Sequence, residues 1–498
     1  MAASATTSPQ DASPAPKASA ASRNWKIFKA LYPKLPLVTQ IVVSHTLGLS
    51  EASKYRDLRS HLIFSVLKSF IDPSVPFSVT KLQKRTIPKP AIKGRIWIST
   101  YTSPPPPDTG ARDVIMAAIE GMVRSEDAAR AATAVPELLG VEGEWTGYRA
   151  GVQADEPLPD ISEEEKYVEM MKDVKHPATV LYLHGGGYYL MDPSTHRLTV
   201  KKLAQMTGGR CYSVRYRLSP QAQFPAALLD AFVSYLTLLY PPPDAYHEPV
   251  KPKHIVISGD SAGGNLTLAL MQLLLELQRK GAKVQWYGQE RDIPLPAGAA
   301  GNSPWLDLTH SLIAYGDDKA AYDYLPEPDT GGWGSGDALT PDDAWPASPP
   351  RKAFYAADHL MTHPLVSVIG TKAEDWANSP PIYICTGWER LGTEDRIFAR
   401  RLAKAGVPLV FEDYEAMPHC FALVLANLPE SQRCFKAWTE FITDAVEDPS
   451  RIKTSAVLIK AKTREEVPIP LDDIAAISEE EAVAAFTNQS TFKVAPRL

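Results

Sequence analysis

The sequence predicts an α/β protein with a mostly parallel central sheet covered by helices on both faces. Three observations carry this. From about Ala178 onward, short apolar or β-branched runs alternate with longer segments of helical spacing, the pattern of a parallel sheet. Two of the short runs lead directly into glycine-rich turns. Finally, 498 residues that are 44% hydrophobic and 22% charged can bury a large core.

Residues 1–22 are rich in Ala, Ser, Pro and Thr and lack an apolar h-region, which predicts a disordered tail and not a secretory signal. Asp11 and Arg23 argue weakly against a transit peptide. Asn24 to Ile71 carries apolar residues at helical spacing, among them Trp25, Phe28 and Leu31, then Leu58, Leu62 and Val66. The apolar stretch Leu35 to Leu49 is interrupted by Thr39, Gln40, Ser44 and His45. It is shorter than the roughly 20 residues of a spanning helix, so no transmembrane segment is expected. A strand over Ile92 to Thr100, a helix over Ala111 to Val123 and a strand over Glu142 to Tyr148 follow.

The alternating region then gives strands at Thr179 to Leu183, Arg210 to Tyr216, His254 to Ser258, Pro381 to Thr386 and Phe411 to Tyr414. Helices are expected over Pro193 to Met206, Pro225 to Tyr240, Gly264 to Lys280, Asp395 to Ala405 and Gln432 to Val446. Gly316 to Pro350, rich in Gly, Pro and Asp, reads as a long inserted loop. Residues 447–498 form a C-terminal extension of low apolar content with a small helix near Glu479 to Phe486. A net charge of −6 gives no reason to expect a nucleic-acid partner. Cys211, Cys385, Cys420 and Cys434 show neither a CxxC pair nor metal-ligand spacing, so they read as reduced thiols of a cytoplasmic protein.

Gly259-Asp260-Ser261-Ala262-Gly263 is a G-x-S-x-G sequence between an expected strand and an expected helix. The bare pattern arises by chance in about one chain in ten of this length. The strand–turn–helix context is what makes Ser261 a candidate nucleophile on a sharp elbow, beside the free N–H groups of a helix start. His184-Gly185-Gly186-Gly187 also follows a strand, and its glycines let successive N–H groups point at one spot. With Ala262, Gly186 and Gly187 would form an oxyanion hole. No Gly-Lys-Ser/Thr follows, which excludes a phosphate loop.

A serine nucleophile needs a base and an orienting acid. His419, in the turn after the strand at Phe411 to Tyr414, is the candidate base, in preference to His310, His359 and His363 in or beside the irregular region. Glu389, Glu394 and Asp395 compete as acid just past Pro381 to Thr386, with Glu389 nearest the strand end.

Beyond these residues, six motifs occur in order: His184 to Gly187, Tyr216-Arg-Leu-Ser-Pro220, Phe224-Pro-Ala-Ala227 with Asp230, Gly259 to Asn265, Ser303-Pro-Trp-Leu-Asp307 and His363-Pro-Leu-Val366. Together they resemble the hormone-sensitive lipase family of esterases over about Ala178 to Val446. The resemblance implies an α/β-hydrolase fold with a helical cap from the N-terminal region. That places the cap in residues 24–150 and the catalytic domain in residues 151–446. It favours Glu389, which begins an acid-x-Leu motif about thirty residues before His419, and it implies a structural role for Asp307. Tyr414-Glu-Ala-Met-Pro-His-Cys420 is similar to fungal members of the family.

The expected function is therefore hydrolysis of small to medium acyl esters, acetyl among them, through Ser261, His419 and Glu389, with no metal or organic cofactor. The rival from another class is a ligand-binding receptor that kept the fold and lost turnover. A membrane-associated lipase or sterol-ester deacetylase is a third reading. For that reading the basic amphipathic stretch Trp25 to Lys34 would lie on a membrane surface of the endoplasmic reticulum or a lipid droplet, though a packed cap helix is preferred. Tyr188 and Tyr189 are expected either to line the acyl pocket or to pack in the core. Oligomeric state has no signature in the sequence.

Overall fold

The computed structural model describes residues 32–69, 78–87, 90–123, 133–315, 321–326, 339–348 and 350–488. The chain divides into two units, Met1–Phe70 and Ile71–Leu498. In the first unit α1 (Leu35–Thr46) begins with a proline in its first turn and α2 (Leu58–Lys68) is capped by Asp57. The Asp57 carboxylate accepts the Ser60 N–H at 2.7 Å, and the Arg56 guanidinium lies 4.0 Å over the Phe64 ring. Leu35, Val43, Leu47 and Leu49 are exposed. The expected tail and the stretch from Trp25 to Leu31 lie outside the described residues.

The second unit is built on a ten-stranded sheet. It opens with α3 (Val79–Thr86), β1 (Ile96–Ser103), α4 (Gly110–Met122), β2 (Val141–Tyr148) and α5 (Glu163–Asp173). There follow β3 (Thr179–Leu183), α6 (Pro193–Thr207), β4 (Arg210–Val214), α7 (Ala226–Leu239), β5 (Ile255–Asp260) and α8 (Ala262–Arg279). A separate hairpin, β6 (Lys283–Trp286) with β7 (Gln289–Asp292), precedes β8 (Gly298–Asn302). The chain continues through β9 (Ile382–Gly387), α9 (Gly392–Lys404), β10 (Leu409–Tyr414) and α10 (Pro429–Glu447). It ends in β11 (Ser455–Ile459), β12 (Glu466–Pro468) and α11 (Glu479–Asn488).

The spatial order is β1-β2-β4-β3-β5-β8-β9-β10-β11-β12. Strands from β4 through β11 run parallel, and antiparallel pairs close both ends. Buried on both faces, the central strands divide their side chains by the period of two. Leu181 and Leu183 of β3 join the core under α7 and α8, while Val180 and Tyr182 join the core under α6 and α10. Every residue of α7 is buried, which explains its unbroken apolar run.

Two expected boundaries differ from the structure. Ile96–Ser103 and Val141–Tyr148 do not belong to a helical cap: as β1 and β2 they pair along their full lengths and extend the sheet through β4. The C-terminal region is likewise part of the scaffold, because β11 pairs in parallel with β10. Its low apolar content fits an outer strand, where only Ala456 and Ile459 are fully covered.

Candidate active site

Ser261 stands between β5 and α8 with φ 53° and ψ −123°, a left-handed conformation that costs a non-glycine residue about 1–3 kcal/mol. The strain holds because the flanking chain is over-determined. A Cβ on Gly259 would overlap the Gly263 and Leu183 carbonyl oxygens, and one on Gly263 would overlap those of Leu183 and His184. The elbow thus requires glycine at both flanks. Its backbone is fixed by the Ser261 N–H to Asn302 carbonyl bond (3.0 Å) and by the Trp305 N–H donating to the Ser261 carbonyl (3.0 Å).

The second glycine-rich turn lies alongside. Gly186 and Gly187 have φ +113° and +60°, values that let this loop fold back toward the elbow. The N–H groups of Gly186, Gly187 and Ala262 make no hydrogen bond among the described residues. Ala262 is the first residue of α8, so its N–H has no intrahelical partner and sits at the positive helix end.

Asp260 and His184 have structural places here. Asp260 Oδ1 accepts from Tyr182 Oη (2.7 Å) and from the Gly185 N–H (3.2 Å), and His196 Nε2 reaches the same carboxylate at 3.3 Å. Burial alone would raise the Asp260 pKa, but His196, Tyr182 and His184 hold it below the ordinary aspartate value. His184 is buried, stacks on Tyr216 at 4.2 Å and bonds the Gly185 carbonyl at 2.7 Å through Nδ1. Burial, with His196 nearby, pushes its pKa down to about 3, so it stays neutral.

His419 Nε2 lies 2.9 Å from Ser261 Oγ, and its Nδ1 lies 3.0 Å from Glu389 Oε2. Burial disfavours the imidazolium, yet Glu389, joined by Asp323 and Asp260, lifts the His419 pKa above the ordinary histidine value. Glu389 is itself fully buried. Burial would raise its pKa, and His419, Thr386 and Ser303 bring it below the usual glutamate value. Thr386 Oγ1 donates to Glu389 Oε1 at 2.7 Å.

Neither competing carboxylate bonds His419. Glu394 Oε1 accepts the N–H groups of Leu306 and Asp307, and Asp395 lies buried at the start of α9, its pKa pushed up by burial and the nearby Glu389. His363 bonds the Ile119 carbonyl, and His310 stacks on Trp305. Asp307 takes both Thr309 groups on Oδ1 and Ser311 and Leu312 on Oδ2, as expected of a loop-shaping residue. Tyr188 is core: its ring stacks on Tyr355 at 3.6 Å and its hydroxyl donates to Asn265 Oδ1. Tyr189 packs with Val79, Trp345 and Phe354, which joins α3 to the far part of the insertion.

Sequence reasoning missed Thr386, Ser303 and Asp323. Thr386 lies only three residues before Glu389 and Ser303 opens one of the six motifs, but neither hydroxyl has a pattern of its own, and only the fold brings Ser303 and Asp323 to Glu389 and His419.

Fold and elbow together define the class, an α/β hydrolase. Residues 180–423 match the family profile described as alpha/beta hydrolase fold, and the chain belongs to this family. It is 30% identical over 269 residues to an acetyl-hydrolase of Streptomyces hygroscopicus, covering 54% of this chain and 76% of the relative. It is 28% identical over 265 residues to an esterase of Acinetobacter venetianus, covering 53% and 74%. The carboxylesterase/phospholipase LipF of Mycobacterium tuberculosis is 28% identical over 272 residues, covering 54% and 63%. A solved esterase of the bacterial hormone-sensitive lipase family is also similar, at 20% identity and TM-score 0.45, covering 83% of this chain and 98% of that one. These relatives are bacterial, so the fungal source implied by the phrase at 414–420 has no support from them.

Proposed function

We propose that the chain is a serine carboxylester hydrolase of the hormone-sensitive lipase type, acting by two-step acyl transfer. The observation that carries this reading is the continuous line from Ser261 Oγ to His419 to Glu389, at 2.9 and 3.0 Å, on a strained elbow beside unengaged N–H groups. His419 takes the Ser261 proton as Oγ attacks the ester carbonyl. The imidazolium that forms is stabilised by Glu389, which also fixes the tautomer with Nδ1 protonated. The developing oxyanion is held by the N–H groups of Gly186, Gly187 and Ala262. His419 then protonates the leaving alcohol, and the same steps run with water to release the acid. Every group this chemistry needs is a side chain or backbone amide of the chain.

The resemblance to a protein named acetyl-hydrolase supports small acyl groups as substrates. A cytoplasmic location belongs to the same proposal and rests on the four thiols, which lack a pairing pattern. Intact base and acid argue against the receptor reading.

The test is hydrolysis of p-nitrophenyl esters from acetate to palmitate by wild type and Ser261→Ala. Loss of at least 10³-fold in the variant is expected, the scale of removing a triad member. Wild-type protein inert toward every chain length would sink the proposal.

The exposed Leu35, Val43, Leu47 and Leu49 favour a second reading, work at a membrane surface. Among the described residues no helix is long and apolar enough to cross a membrane. Flotation of full-length and Δ1–50 protein with liposomes decides it: equal partitioning removes the idea.

A further inference from the structure

The insertion between nucleophile and acid reaches into the site through residues 323–325. Asp323 is fully buried. Its Oδ1 accepts the N–H groups of Tyr324 (2.7 Å), Leu325 (3.3 Å) and His419 (3.2 Å), and its Oδ2 accepts that of Arg390 at 2.9 Å. Tyr324 Oη donates to the His419 carbonyl at 2.7 Å, and Arg390 Nε donates to the Leu325 carbonyl at 2.9 Å. The peptide groups on both sides of the His419 Cα are therefore held by the insertion. The residue after the acid is held by the same carboxylate.

The turn carrying the base has reason to need such ties. Ala416 and Cys420 both have positive φ, 58° and 48°, so the turn stores strain that free backbone would release. The same turn is also held by the Cys420 N–H donating to Ser303 Oγ at 3.1 Å, the Met417 N–H donating to the Tyr414 carbonyl at 3.2 Å and the Glu415 N–H donating to the Ile459 carbonyl at 3.0 Å. A displacement of about 1 Å at a base can cost about 100-fold in rate. A buried carboxylate is costly unless backbone donors or a cation satisfy it, and here they converge on it from the base turn and the acid turn.

We propose that Asp323 and Tyr324 are positioning residues of the active site: Asp323 locks the base turn to the acid turn and sets a second carboxylate beside the base, and Tyr324 fixes the base's carbonyl. The inference rests on the reading of His419 as the base. The charged or titratable groups facing His419 are Glu389 from the β9 turn, Asp323 and Tyr324 from the insertion, Asp260 from the elbow and the Cys420 thiol from its own turn. Those facing Asp323 are His419, Glu389, Tyr324 and the Cys420 thiol, while Arg390 meets it through its backbone N–H. Burial pushes the Asp323 pKa up, against the pull of His419.

The experiment measures kcat and KM against pH for p-nitrophenyl acetate in wild type, Asp323→Asn, Tyr324→Phe and Ser261→Ala. Asn at 323 removes negative charge beside the imidazolium, so the acidic limb of kcat/KM should move about one unit lower. Its kcat plateau should fall about 10-fold with KM within about twofold. Tyr324→Phe should lower kcat about fivefold and leave the limb in place. A folded Asp323→Asn protein with the wild-type acidic limb overturns the proposal, since a merely structural carboxylate would not tune the base. If Asp323→Asn does not fold, Tyr324→Phe decides: wild-type kcat overturns, a loss at constant KM supports. Failure of the underlying reading looks different, because Ser261→Ala would then retain full activity.

Discussion

The carboxylate of Asp260 accepts the N–H of Gly185 at 3.2 Å, so the residue before the serine holds the loop that carries Gly186 and Gly187, the proposed oxyanion donors. Elbow and glycine-rich loop are thereby tied together, with His196 and Tyr182 also bonding the carboxylate. Four predictions follow from this arrangement and its neighbours.

Replacing Asp260 with Asn should destabilise the fold by about 3 kcal/mol, because His196 is left without its buried counter-charge. The effect should depend on pH. The depressed Asp260 pKa gives stability present above the unfolded value and lost as pH falls through the folded one. The raised His196 pKa gives stability present below its unfolded value and lost as pH rises through the folded one. Urea unfolding should therefore show the largest difference between wild type and variant from about pH 4 to 6.5. A difference that is flat with pH would show that the ion pair is not its source.

The acidic limb of kcat/KM in wild type should lie above the ordinary histidine value of about 6.5, since catalysis needs neutral His419 and its pKa is raised. Glu389→Gln removes the largest favourable charge and should move the limb down in pH. Its plateau should also drop by about 10³–10⁴, the scale seen when a triad acid is made neutral elsewhere. A limb that stays fixed in Glu389→Gln contradicts the assignment of the acid.

Gly186→Ala should lose about 10²–10³ in kcat, or about 2.7–4 kcal/mol, by displacing one oxyanion donor. The added Cβ has no room, because it overlaps the Leu190 carbonyl, and φ +113° is unfavourable for any L side chain. Fluorophosphonate labelling of Ser261 should slow in parallel. Full activity in this variant would remove Gly186 from the hole.

Ser261→Gly should be inactive and yet more stable. Glycine relieves strain of about 1–3 kcal/mol at φ 53°, offset by about 0.5–1 kcal/mol of extra chain entropy in the unfolded state. Thermal melting should show a gain of about 1–2 °C relative to Ser261→Ala, which keeps the strain. Equal melting temperatures would mean the elbow is not strained.

Much of the sheet was legible because its strands are buried on both faces and read as continuous β-branched runs, as Thr179 to Leu183 does. Strand β8 was not, since Gly-Ala-Ala-Gly-Asn has neither apolar mass nor β-branching. Its small residues answer to neighbours instead: Gly301 faces Pro304, and Gly298 lies against the Pro381 carbonyl and Phe441. Strand β11 was hidden for a related reason, because an outer strand needs few fully covered side chains.

By itself the sequence determined the elements and the local turns: the two glycine-rich motifs, the elbow serine, and the histidine and glutamate placed just past their strands. These are short-range properties, set by steric permission within a few residues and by hydrophobic period. Tertiary structure decided what distant segments do to one another. It brought His419 to Ser261 across 158 positions, drew strands before residue 150 into the sheet, and seated Asp323 of an irregular loop under the base. No local pattern encodes such contacts, because two of the N–H groups that satisfy the buried Asp323 carboxylate, those of Arg390 and His419, lie 67 and 96 positions away along the chain.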